Sequence, residues 1–94
     1  MDNDEALRLL EREVDAFRGE SYDDLVRRMD ADTLAYELAG SSGAQYQVEI
    51  TFHWDGPKGG DIRVIGSIDD GGWRAFLPLT RSFIKSADGS FVGE

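Results

Sequence analysis

The chain contains no cysteine, which excludes disulfides, thiol nucleophiles and cysteine-ligated zinc and leaves the redox compartment open. Histidine occurs once, as His53, too few for a zinc site with no cysteine beside it. No apolar run approaches the roughly 20 residues that cross a bilayer as a helix. Positive charge is scarce as well: ten Lys and Arg stand against nineteen Asp and Glu, for a net charge of −9. Phosphate backbones and anionic membranes repel a chain of that sign, so nucleic acid and lipid are not expected partners. The opening stretch MDNDEALRLL is acidic where an export signal needs basic residues and then an apolar run, so the expected compartment is the cytoplasm.

What is present suffices for a core. Residues 1–94 are short enough to form one domain, and a 40% hydrophobic content with 11% aromatics argues against a disordered chain. The acid excess is uneven. Residues 1–32 hold eleven acids and five arginines, net −6, against net −3 for the remainder. Such an imbalance serves solubility first.

In DNDEALRLLEREVDAFRG, apolar residues recur at Leu7, Leu10, Val14 and Phe17, with Ala6 and Leu9 close by, which predicts an amphipathic helix. Asp2 or Asn3 can cap it, and Gly19 is expected to end it in the left-handed conformation. Glu5 with Arg8 and Asp15 with Arg18 read as i,i+3 pairs on its wet side. Ser21, with Asp24 three residues on, predicts a second, shorter helix that buries Tyr22, Leu25, Val26 and Met29. The helical region spans about residues 3–30.

From Thr33 the apolar period falls to two, predicting strands at about 33–40, 44–54, 61–68 and 73–78, with a C-terminal segment 79–94. Tyr46, Val48, Ile50, Phe52 and Trp54 share one face of the second strand. A loop of Ser41, Ser42 and Gly43 pairs Leu38 with Tyr46 and Tyr36 with Val48, so core residues meet core residues. A four-residue loop at Asp69–Gly72 would pair Ile68 with Trp73, Gly66 with Ala75 and Val64 with Leu77. The fold class expected is α+β: one or two N-terminal helices packed on a four-stranded antiparallel meander sheet.

The candidate motifs resolve into turns. Two adjacent acids and two glycines in SIDDGGW are turn chemistry before they are a metal loop, because a metal needs several oxygens converging on one point. Asp88-Gly89 in SADGS reads the same way. DGPKGG lacks the Ser or Thr and the following helix of a phosphate loop. AGSSGA has Ala44 where a nucleophile elbow needs its second glycine. No nucleophile with a base and no cofactor loop can be named, so neither an enzyme, a metal nor a cofactor is expected.

The helix followed by an antiparallel meander is similar in architecture to the cystatin-like roll. The inhibitory pattern Gln-x-Val-x-Gly of that family is not present, since QYQVEI sets Val48 directly after Gln47. The stretch GSIDDGGWRAFLPLT together with DGSFVGE resembles short bacterial proteins of unassigned activity, over the last third of the chain. That likeness implies a bacterial source and no chemistry.

The expected function is a small non-enzymatic protein-binding module, accessory, regulatory or inhibitor-like. Its contact surface would be the sheet face opposite the helix, at Ile65, Phe76, Arg63, Arg74, Thr51 and His53, or an open strand edge at Thr33 to Ala39. Ile65 opposite Phe76 would make an apolar island there. Either a partner, a homodimer or the C-terminal Phe83, Ile84, Phe91 and Val92 folding back could cover it. The alternative is a small-ligand or metal-binding domain with its mouth near Trp54, His53, Asp55 and Asp69. Mimicry of nucleic acid through Glu11, Asp15, Asp23 and Asp24 is a third reading.

Overall fold

The computed structural model describes residues 1–31, 33–72 and 77–94. Helix α1 (Asn3–Arg18) starts at Asp2, whose carboxylate accepts the Glu5 N–H at 3.1 Å, with Asp4 and Glu5 at the positive end of the helix dipole. Helix α2 (Tyr22–Arg28) starts at Ser21, whose hydroxyl accepts the Asp24 N–H at 3.1 Å. Gly19, between them, is right-handed (φ −77°, ψ −10°), not left-handed as the sequence suggests. The chain need not reverse there: Glu20 N–H reaches back to Phe17 and the second helix begins almost at once.

Strands β1 (Leu34–Ala39), β2 (Gln45–Trp54), β3 (Ile62–Asp69) and β4 (Leu79–Lys85) form an antiparallel meander in the order β1-β2-β3-β4. The chain is therefore α+β, with two helices on a four-stranded antiparallel sheet. In the first hairpin Leu38 faces Tyr46 and Tyr36 faces Val48, as the alternation requires. Gly43 turns it at φ 89°, a conformation side chains disfavour.

The fourth strand differs from the expectation. It runs from 79 to 85, pairing Ile68 with Leu79, Gly66 with Arg81, Val64 with Phe83 and Ile62 with Lys85. Leu77, expected on the core face, is 65% exposed. Trp73, Arg74, Ala75 and Phe76 lie outside the described residues. The physical reason is that LTRSFIK hides its apolar alternation behind two cations on the core side. Arg81 reaches past the sheet to Glu11 on α1, at 3.3 Å. Lys85, only 8% exposed, donates from Nζ to the Arg18 and Glu20 carbonyls at 3.0 and 2.6 Å. A cation is favourable at that end of a helix, where carbonyls lack intrahelical partners.

That contact gives a first prediction. Lys85→Met keeps the stem length and removes the charge, leaving both carbonyls without their donor. Urea unfolding should show a loss of about 1.5–3 kcal/mol, the usual range for hydrogen bonds to a charged group.

The core is one cluster: Ala6, Leu10, Val14 and Leu25 from the helices pack on Tyr46, Val48, Ile50, Ile62, Val64, Ile68 and Phe83. The C-terminal segment adds to this side. Phe91 bridges to Lys85 and sets its ring edge-on to Phe83 at 5.7 Å, while the Arg18 guanidinium lies 4.8 Å from the Phe91 ring and ion-pairs with Glu94 at 2.8 Å. Phe83 and Phe91 therefore do not fold over the outer face, as one reading of the sequence had it; Phe83 is core.

Glu5 is a second departure. It is 6% exposed and turned away from solvent, accepting the Ser42 hydroxyl at 3.0 Å instead of pairing with Arg8 on the wet side. Gly40 makes the room, since a Cβ there would stand 1.5 Å from Glu5 Oε1. The carboxylate lies near the buried Tyr46 hydroxyl, whose ionisation is pushed upward by burial first and by Glu5 next. Asp15 and Arg18 do pair, at 3.3 Å.

Candidate functional site

The helices occupy one face of the sheet and leave the other to be read row by row. Thr51, Ile65 and Ser82 form one row, and His53, Arg63 and Ile84 the next. Four of the expected contact residues, Thr51, His53, Arg63 and Ile65, thus do share this outer face. Phe76 and Arg74 lie outside the described residues, and their expected places opposite Ile65 and Ser67 belong to Ser82 and Thr80. Arg63 is tied by its Nε to Asp55 at 3.0 Å, and Ile65 is half-buried.

At the other end the outer face turns acidic. Glu37, Gln47 and Asp69 form one row; Ala35, Glu49, Ser67 and Thr80 the next. All of these but Thr80 line a groove of about 470 Å³, together with Pro78. Among the described residues neither Glu37 nor Glu49 has an ion-pair or hydrogen-bond partner for its carboxylate. Lateral register, which brings the acids of three strands together, is the signal a reading of single strands misses.

The same rows separate the residues of the alternative ligand mouth. Trp54, His53 and Asp55 are at one end, whereas Asp69 pairs with Gln47, seven positions along β2 from Trp54. At about 3.3 Å per residue that is roughly 23 Å, too far for one small ligand. Asp69 and Asp70 instead accept the N–H groups of Gly71 and Gly72 at 2.8 and 3.1 Å, as turn aspartates do. Asp88 accepts the Ser86 hydroxyl and the Ser90 N–H, and these hydrogen bonds hold its carboxyl down to about 2. Among the described residues no three His, Asp or Glu converge on a metal position. No described helix is long and apolar enough to cross a membrane.

The two sheet edges are treated differently by the chain. Beyond β4, Phe91 bridges to Lys85 and the Val92 N–H bonds to the Ile84 carbonyl, so the chain's own end covers part of that edge. Beyond β1 nothing among the described residues pairs. Gly40 donates to Ala44 at 2.8 Å, and antiparallel alternation from that bond aims the N–H and C=O of Ala35, Glu37 and Ala39 outward. All three residues are exposed. LAYELA has no Lys, Pro or bulge, the devices that usually blunt an edge. On the core face, Leu34, Tyr36 and Leu38 are only half-buried, because α1 packs chiefly on β3 and β4. Tyr36 does reach the helix, donating its hydroxyl to Glu13 at 2.9 Å, and burial with that carboxylate raises its pKa.

No family model, curated protein or solved structure matches the chain.

Proposed function

We propose that the chain is a small non-enzymatic protein-binding module, accessory, regulatory or inhibitor-like, which contacts its partner through the β1 edge and the adjoining outer face. One observation carries this reading: Phe91 and Val92 cover part of the β4 edge, whereas among the described residues nothing pairs with β1, whose LAYELA carries no protective residue but Glu37. An open edge recruits a strand through its unpaired backbone groups, and the side chains on either face then select which strand. The net charge of −9 speaks against nucleic acid and anionic lipid as the partner.

The test removes the edge and spares the fold. The Ala35 N–H points outward, so Ala35→Pro deletes no bond of the β1–β2 ladder and suits an edge strand. Proteins cross-linked to the chain in its source cell should be lost from Ala35→Pro while its melting curve stays cooperative. A cross-linked set unchanged by the substitution would refute the edge as the contact.

A further inference from the structure

Building on the protein-binding reading above, we infer that the β1 edge takes an extended segment of a partner in which apolar and basic residues alternate. A strand added beside β1 lies about 4.8 Å away and presents its side chains alternately to the two faces. Its core-side residues fall next to Leu34, Tyr36 and Leu38, whose half-burial leaves apolar area to cover. Its outer-side residues fall next to Ala35 and Glu37. Ala35 ends at a methyl group, so a long side chain opposite it passes over to Glu49, in the next strand, with Glu37 alongside. Two carboxylates without partners among the described residues therefore face one position of the added strand, and arginine or lysine answers them.

A second copy of the chain fits less well. Antiparallel self-pairing centred on Glu37 sets the two Glu37 carboxylates opposite each other. Centred on Tyr36, it sets each Glu37 opposite Ala35, beside Glu49. Both registers place acid against acid, and both join chains of net charge −9.

The experiment uses the full chain and three capped nine-residue peptides: alternating Val and Arg, alternating Val and Glu, and the Val and Arg residues gathered in two blocks. Fluorescence anisotropy should rank the alternating arginine peptide about tenfold tighter than the glutamate one, from cross-strand charge pairs made or opposed. The block peptide, equal in charge, should bind more weakly than the alternating one. Ala35→Pro should abolish binding, and Glu49→Lys, which leaves the backbone edge intact, should weaken the arginine peptide severalfold and improve the glutamate peptide. Hydrogen exchange should slow at the Ala35, Glu37 and Ala39 amides on binding.

Equal affinity for the arginine and glutamate peptides, or binding that survives Ala35→Pro, overturns the inference. So does an Ala35→Pro-sensitive dimer in light scattering, which would make a second copy the occupant. If no peptide binds while Ala35→Pro still releases a cellular partner, the basic strand falls and the edge reading stands. If Ala35→Pro releases nothing, the edge reading itself falls.

Discussion

Phe83→Ala should lower stability by about 3–5 kcal/mol, the usual range for emptying a buried aromatic site. Phe83 is 3% exposed, sits opposite Val64 in the sheet and carries the Phe91 ring and the Arg18 guanidinium against its own. Its removal leaves a cavity, and Phe91, one of the groups lying against it, is itself anchored on the missing ring. With total stabilities of about 5–15 kcal/mol for domains of this kind, the variant would be near the edge of folding. Leu77→Ala, at a site 65% exposed, should stay within about 0.5 kcal/mol. The pair distinguishes a fourth strand at 79–85 from one at 73–78, because the latter would put Leu77 against Val64 and reverse the order of the two effects. Thermal melts read the difference directly, at about 4–8 °C per kcal/mol for a domain this small.

The contrast shows what local pattern can and cannot carry. Both helices, with their caps at Asp2 and Ser21, follow from spacing and from residues within four positions of each other. The first hairpin follows because its short loop leaves one register in which Leu38 meets Tyr46. The last strand does not follow, since WRAFL alternates as convincingly as LTRSFIK. What decides in favour of the second is Arg81 meeting Glu11 and Lys85 meeting the end of α1, across 70 and 65–67 residues of chain. Glu5 was hidden for the same reason: its burial depends on Gly40 and Ser42, which no helical periodicity can see.

The candidate site divides along the same line. Thr51, His53, Arg63 and Ile65 were legible as one face because alternation within two strands suffices to group them. The acidic groove was not, because Glu37, Glu49 and Asp69 fall at the same end of the outer face only once the registers of two hairpins are both set. Edge openness is a property of the whole sheet. It depends on the C-terminal residues choosing β4 over β1, and a strand's own sequence holds no record of that choice.

Gly66→Ala should be the other large effect, and its sign runs against the usual gain from replacing a strand glycine. Alanine ordinarily stabilises where the backbone permits it, by reducing the freedom of the unfolded chain. Here the added Cβ would stand 2.5 Å from Val14 Cγ2, 3.0 Å from Leu10 Cδ1 and 3.2 Å from Ile50 Cδ1. Leu10 can turn its end away, but Val14 is branched at Cβ and held to one rotamer in a helix. The helix must lift from β3, and overpacking of this sort costs about 1–3 kcal/mol. Val14→Ala alone opens a void under the same helix and should cost about 1–3 kcal/mol by lost burial. Combined, the two changes relieve each other, so the double variant should be more stable than the sum of the single losses predicts, by about 1 kcal/mol or more. Strict additivity in urea unfolding would mean that α1 does not rest on Gly66, and the close helix–sheet contact that leaves β1 at the flank would have to be redrawn.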